Sequence, residues 1–210
     1  MYTPRHFDEP RVEVLHDLIR RQPLATLVTV GSAGLDANHI PLLLSPDPAP
    51  FGTLRGHVSR SNTVWREFDP EVEALAVFTG PEGYITPSWY ATKRETGQVV
   101  PTWNYVVVHA HGRLRVIEDA EWLRAHVGEL TRQQEAGSPE PWKVEDAPED
   151  YTTRLLGGIV GLEIPISRIE GKWKVSQNQP EANRRGVIAG LEERGDPQSL
   201  AMARLVREPR

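Results

Sequence analysis

The chain has 210 residues, a formal net charge of -5 and no cysteine, which excludes disulfides, thiolate catalysis and cysteine-ligated metal centres. Its acidic balance matches nucleic-acid phosphates poorly, and its apolar runs are too short to cross a bilayer. Because the N-terminus carries no apolar signal segment, we expect a soluble cytoplasmic protein without a membrane partner.

The first part of the chain predicts one helix followed by two strands. Asp8-Glu9-Pro10 is typical of a helix start, and Pro23 ends that helix. Alternating apolar residues predict a hairpin of strands at 24–30 and 35–44. Since Pro41 has no N–H group, the second strand should lie at a sheet edge or carry a bulge there.

The remaining elements do not alternate regularly between strand and helix. The expected strands lie at 53–58, 73–79, 83–86, 99–117, 159–166 and 172–176. The expected helices lie at 63–68, 120–134, 149–156, 181–193 and 197–207. Gly80-Pro81 should end one strand, and Arg168–Gly171 should form the turn before the last one. Because strands mostly neighbour strands, the pattern favours an antiparallel barrel with peripheral helices.

A polar segment that starts at Arg55 is the first candidate binding site. Strand alternation places Arg55 and His57 on one face, ahead of Ser59-Arg60-Ser61-Asn62 and a predicted helix start. Cationic side chains, hydroxyls and helix N–H groups together suit an anion. The same residues also fit a simple helix cap with two solvated side chains, so both interpretations stay open.

Two further segments combine polar groups with aromatic rings. In Pro101-Thr102-Trp103-Asn104-Tyr105, the residues Thr102 and Asn104 share one strand face. Rings beside small amides suit a planar heterocycle, and packing in a core or interface is the alternative. Lys174-Val175-Ser176-Gln177-Asn178 offers hydrogen bonds to such a ring, or forms a turn before a helix.

Other chemistries find weaker support. His109 and His111 point the same way on a strand, but no acidic residue of that strand completes a metal site. There is no Gly-x-Ser-x-Gly motif and no glycine-rich phosphate loop. The arginines between Arg184 and Arg210 lie on two helices that lack a clear DNA-recognition pattern.

Several strings along nearly the whole chain resemble the PaiB family of FMN-binding negative transcriptional regulators. These strings are Met1–Phe7, His39-Ile40-Pro41-Leu42, Gly56-His57, Asn62 with Trp65, Ser88-Trp89-Tyr90, Val100–Tyr105, Gly157–Gly161 and Lys174–Asn178. The resemblance implies a mainly β fold, the antiparallel FMN-binding split barrel of the pyridoxamine-phosphate oxidases. We expect the barrel with its inserted helices at 1–180 and a helical tail at 181–210.

The resemblance also implies which residues contact FMN. The expected phosphate contacts are Arg55, His57, Ser59, Arg60 and Asn62. The expected contacts with the isoalloxazine ring or ribityl chain are His39, Thr102, Trp103, Asn104, Lys174, Ser176, Gln177 and Asn178. In this superfamily two protomers share the flavin sites, so a homodimer is expected.

Two functions and no catalytic residue follow from the sequence. The first function is negative transcriptional regulation, which the resemblance implies and which would make DNA a partner. The second is an FMN-dependent oxidoreductase with an unknown small-molecule substrate. Haem, ligated by a histidine, is a third ligand that remains open, and no metal site is expected.

Overall fold

The computed structural model describes residues 1–208, and the chain divides into two compact units. The first unit comprises Met1–Leu18, Phe78–His109 and the chain from Glu170 onward. The second comprises Ile19–Val77 and Ala110–Ile169. Both units are therefore assembled from separated stretches of sequence. The predicted division at residue 180 stays a prediction.

Apart from the short helix at Thr92–Glu95, which was not predicted, the helices begin and end close to the predicted positions. They are α1 Val12–Arg21, α2 Val64–Glu67, α3 Thr92–Glu95, α4 Ala120–Glu135, α5 Glu149–Leu156, α6 Glu181–Arg194 and α7 Pro197–Arg207. The Asp119 side chain caps α4 by accepting from the N–H of Trp122 at 2.7 Å. Gly195, at φ 71°, ends α6 in the left-handed conformation that favours glycine. Among residues 1–208, no helix is both long and apolar enough to span a membrane.

The strands differ from the predicted ones in number and in several of their bounds. They are β1 Leu24–Gly31, β2 Gly34–Pro41, β3 Leu43–Ser45, β4 Thr53–Ser59, β5 Ala74–Ile85, β6 Thr102–Gly112, β7 Arg115–Ile117, β8 Ile159–Pro165 and β9 Arg168–Lys174. The long strand predicted at 99–117 is thus two strands, β6 and β7, separated just after Gly112.

The second unit contains the hairpin and a four-stranded sheet. Strands β1 and β2 pair antiparallel from Leu24↔Pro41 to Gly31↔Gly34, and the first residues of β5 pair with β1. Strand β2 is at the edge of its sheet, as the proline at position 41 predicts. The other sheet has the order β3-β4-β8-β7, with antiparallel pairing throughout.

The first unit holds the second half of β5, most of β6 and β9, and the helices α6 and α7. Its core is apolar and fully buried around Phe78, Ile85, Val108, Leu191 and Met202. Helix α1 approaches β9 closely, because a Cβ at Gly171 would lie 2.2 Å from Leu15 Cδ2. These packed elements fix the ends of β6 and β9 that carry the polar residues described below.

Two predicted breaks are wrong. Strand β5 continues through Gly80-Pro81, because its register with β1 ends at Val77 and the missing N–H of Pro81 interrupts no bond there. Residues 168–171 are extended instead of forming a turn. The N–H of Glu9 donates to the Gly171 carbonyl at 3.1 Å, so this stretch has a bonding partner that a local sequence pattern does not reveal.

Candidate flavin site

Strand β6 and the end of β9 bring four polar side chains together in the first unit. Thr102 and Asn104 share a face of β6, as strand alternation requires. The ammonium group of Lys174 donates to the Thr102 hydroxyl. The Asn104 amide donates to Ser176 Oγ at 2.9 Å, and both of these residues are buried. The site thus presents a cation beside a hydroxyl and an amide in fixed positions.

Ser176 has a backbone conformation that a serine rarely adopts. Its φ is 62°, in the left-handed region, and it is the only non-glycine residue at positive φ among residues 1–208. The neighbouring Gln177 amide is turned back onto the strand end, where it accepts from Val175 N–H and donates to the Trp173 carbonyl. Backbone strain of this kind concentrates at functional sites, where the surrounding bonds hold it.

The four polar side chains of β6 and the end of β9 line a cavity of about 210 Å³, which we call the ring cavity. Its lining includes Tyr90, Thr102, Asn104, Lys174, Ser176 and Asn178. A second cavity of about 220 Å³, the side cavity, is lined by Tyr90, Thr92, Gln98, Val100, Gln179 and Asn183. The two cavities adjoin, because Tyr90, Val100 and Gln179 belong to the walls of both.

Two of the predicted ring contacts lie elsewhere in the first unit. Trp103 is 53% exposed on the opposite face of β6, with its ring centroid 6.0 Å from that of Tyr84. Gln177 faces its own backbone. Conversely, Tyr90 and Gln179 line the cavity without having been expected there. Tyr90 belongs to Ser88-Trp89-Tyr90, one of the strings that resemble the PaiB family, and this membership could have predicted its place at the cavity.

In the second unit, the predicted cations Arg55 and His57 face helix α4. The Arg55 guanidinium pairs with the Glu129 carboxylate at 2.7 Å. His57 Nδ1 lies 3.1 Å from His126 Nε2, so one of the two rings carries the shared hydrogen. These partners were missed by the sequence reasoning. Trp122, His126 and Glu129 follow one another at intervals of four and three residues, so they share one face of α4. This spacing could have predicted a polar helix face that packs against a strand.

The histidine pair is uncharged at neutral pH. Burial, followed by the repulsion that a protonated His57 and the Arg55 guanidinium exert on a protonated His126, lowers the pKa of His126 to about 4. Burial also lowers the pKa of His57. The Trp122 ring stacks on His126 with centroids 5.1 Å apart, which adds to the exclusion of water. His57 therefore contributes no positive charge to an anion site at neutral pH.

The residues after β4 already have partners within the second unit. Arg60 pairs with Glu118 at 2.7 Å and donates to the Gly157 carbonyl at 3.0 Å. Asn62 donates to Asn38 Oδ1 at 2.7 Å and accepts at 2.9 Å from the N–H of Val64, the first residue of α2. Helix α2 is only four residues long and thus offers little dipole to an anion.

The three remaining residues that we expected to contact FMN are exposed at the surface. Ser59 is exposed at the end of β4, and its hydroxyl accepts from the N–H of Ser61 at 3.2 Å. His39 is exposed on β2, opposite Thr26 in the register. Asn178 is exposed at the ring cavity.

The model of the family described as "Putative FMN-binding domain" matches residues 1–168. The chain belongs to this family. It is 35% identical to an uncharacterized protein of Emericella nidulans, over 99% of this chain and 97% of the relative. It is 29% identical to the "Protease synthase and sporulation protein PAI 2" of Bacillus subtilis over the same shares of the two chains. The resemblance to the PaiB family is thereby confirmed.

Solved structures share the fold of this family member. The flavocytochrome Anf3 of Azotobacter vinelandii superposes with a TM-score of 0.63 at 11% identity, covering 82% of this chain and 72% of that one. The FAD and heme binding protein of Mycobacterium smegmatis gives 0.58 at 18% identity, covering 80% and 73%. The predicted antiparallel split-barrel fold with peripheral helices is confirmed.

The arginines of α6 and α7 are largely occupied within the first unit. Arg207 pairs with Glu192, and Arg185 pairs with Glu181 at 3.2 Å. Arg184 donates to the Val206 carbonyl at 3.0 Å. Arg194 donates to the Tyr84 carbonyl at 2.8 Å. Arg210, counted with this group in the sequence, lies outside the described residues. The helix pair therefore offers few unpaired cations for nucleic-acid phosphates.

Proposed function

We propose that this protein binds FMN and holds the isoalloxazine in the ring cavity. The observation that carries the proposal is the cation Lys174 fixed beside Thr102, with the buried Asn104–Ser176 pair in the same cavity. Membership of a family described as FMN-binding supports it. The adjoining side cavity leaves room next to the ring for a second ligand.

The residues present fit the flavin ring chemically. The pyrimidine side of an isoalloxazine carries carbonyl oxygens and gains negative charge on reduction, so an ammonium group and amide N–H groups suit it. When bound, FMN supplies the hydride or electron chemistry, which no side chain here replaces. The chain's part is to hold Lys174 at the cavity through Thr102, and to keep the Asn104 amide oriented by Ser176.

A flavin titration tests this proposal directly. We expect the visible bands or the fluorescence of FMN to change on binding, and Lys174→Gln to weaken binding by about tenfold, because a charge-assisted hydrogen bond is lost. Lys93→Gln is the matched control: Lys93 is exposed and donates to Ser88 outside the ring cavity. A titration without spectral change, or equal losses in both variants, would contradict the placement.

The phosphate contacts in the second unit are proposed on the resemblance. Because Arg55 and Asn62 already have protein partners, each would exchange or share a partner in order to bind phosphate. We expect the double variant Arg55→Ala, Asn62→Ala to bind FMN at least about tenfold more weakly. Riboflavin, which lacks the phosphate, should be little affected. Equal losses for the two flavins would remove this assignment.

A homodimer belongs to the same proposal. The motivation is the sharing of flavin sites between protomers that the family resemblance implies. The exposed pair of Trp103 and Tyr84 on the first unit provides aromatic surface of the kind found at interfaces. Light scattering should give twice the mass of the chain, and a monomer mass at working concentration would count against it.

The role of the bound flavin has two candidates. A small-molecule oxidoreductase is favoured by the side cavity and by the internally paired arginines of α6 and α7. It should show flavin reduction by a nicotinamide donor. Negative transcriptional regulation is favoured by the PaiB relative, whose name refers to protease synthesis and sporulation. It should show salt-dependent binding to its own promoter DNA, since phosphate contacts release counterions.

A further inference from the structure

We propose that the side cavity binds a small uncharged ligand through a carbonyl or carboxamide oxygen, beside the ring cavity. The inference rests on the proposed function only for the identity of the neighbouring ligand. The cavity itself is described by its own residues, and it can be probed without FMN.

The side cavity has a neutral lining. Its polar groups are hydroxyls and amides, and its apolar wall is formed by Val99, Val100 and Pro180. Among residues 1–208, no Lys, Arg, Asp or Glu is part of this lining, whereas the ring cavity carries Lys174. A charged ligand would lose hydration here without gaining a counter-ion, so the lining discriminates against it.

Asn183 orients the polar wall. It is 2% exposed, and its Oδ1 accepts from both the N–H and the hydroxyl of Thr92, at 3.1 and 3.0 Å. Its Nδ2 donates to Gln179 Oε1 at 3.0 Å. Because the Gln179 oxygen is engaged in this way, the amide must present its N–H groups on the other side.

The available groups are mainly donors. None of the hydrogen bonds described in residues 1–208 uses Gln179 Nε2 or the Tyr90 hydroxyl, and Tyr90 is only 4% exposed. Burial raises the pKa of Tyr90, so its hydroxyl keeps its hydrogen at neutral pH. Tyr90 and Gln179 both line the side cavity, so one carbonyl oxygen bound there would satisfy the O–H and the N–H donor together, while the valines and Pro180 suit an apolar body.

The position of the cavity gives this ligand access to the proposed flavin. Tyr90, Val100 and Gln179 contribute to both cavities, so the occupants of the two would be neighbours, in contact with the same three residues. The geometry therefore points to uncharged carbonyl compounds as the class of small molecule that this protein brings to its cofactor.

Benzamide and benzoate are matched probes, because they share shape and differ in charge. We expect benzamide to bind both FMN-free protein, by calorimetry, and FMN-loaded protein, by a shift of the flavin bands. Benzoate should bind at least about tenfold more weakly. Equal binding of the two probes, or no binding of benzamide to either form, would overturn the inference.

Two variants examine the donors and the charge separately. Gln179→Glu keeps an oxygen for Asn183 but replaces the free N–H groups with an acceptor, so benzamide should bind at least about tenfold more weakly. Gln198→Glu, the same change at an exposed site on α7, should have no effect. Gln98→Lys places a cation in the side cavity and should raise the affinity of benzoate relative to that of benzamide by at least about tenfold.

The outcomes separate the two proposals. FMN binding without benzamide binding removes only this inference. Benzamide binding with the expected variant effects, but without FMN binding, removes only the proposed function. Loss of benzamide in Gln198→Glu as strongly as in Gln179→Glu would show that the effect does not come from the cavity, and would contradict the inference.

Discussion

Replacing Gly186 by alanine is expected to lower the free energy of unfolding by about 2 kcal/mol, as an overpacked contact does. A Cβ at this position of α6 would lie 1.9 Å from the backbone carbonyl oxygen of Trp89. Backbone cannot rotate away as a flexible side chain can, so α6 or the Trp89 segment must shift. One turn further on, a Cβ at Gly190 would lie 2.1 Å from the Trp89 indole, so a shift along the helix brings no relief.

The same substitution should weaken FMN binding. Trp89 immediately precedes Tyr90, which lines both cavities, and the Arg194 guanidinium lies over the Trp89 ring at 4.4 Å. Asn183 ties Thr92 of the same segment to α6. Helix α6 therefore holds the segment that forms one wall of the proposed site, and moving the helix moves that wall.

Gly128→Ala is the matched control for this prediction. Gly128 lies in helix α4, and a Cβ there meets nothing within 4 Å. It should stabilise the protein by up to about 1 kcal/mol, through the helix preference of alanine. Urea unfolding and FMN titration of both variants provide the measurement. Equal stability changes, or unaltered FMN binding in Gly186→Ala, would contradict the proposed role of α6.

The structural features that the sequence predicted well depend on interactions between residues that are close together in the chain. The helices α4 to α7 depend on a capping Asp119, on Gly195 and on neighbouring prolines, all of which act within a few residues. Strand alternation likewise predicted that Thr102 and Asn104 share a face, and these two residues do line the ring cavity together.

What the sequence could not predict depends on distant partners. Whether Trp103 or Asn104 faces the cavity depends on which side of β6 the rest of the first unit covers. Because one face carries a hydroxyl and an amide and the other carries aromatic rings, either face suits a flavin ring. Arg55 was predicted to be available to an anion, but its partner Glu129 is on a helix 74 positions further along the chain. Pairing at such a distance leaves no periodicity for a local pattern to detect.

The fully buried His126, paired with the part-buried His57, predicts a large pH dependence of stability. The pKa of His126 is lowered to about 4 in the folded protein, mainly by burial, against a usual value of 6.5. Protonation is therefore easier in the unfolded chain. Stability from this group is complete above pH 6.5 and is lost as the pH falls from 6.5 towards 4, by about 3 kcal/mol in all.

His126→Gln isolates this contribution, because an amide can still hydrogen-bond His57 but does not titrate near neutral pH. Other ionisable groups also contribute to the pH dependence of unfolding, so the readout is the difference between wild type and variant in urea unfolding at pH 7 and pH 4.5. The wild type should lose about 2 kcal/mol more than the variant over this range. His6→Gln, at an exposed position, should follow the wild type. Identical pH slopes for wild type and His126→Gln would mean that the pair is hydrated in solution, and α4 would then not seal this face of β4.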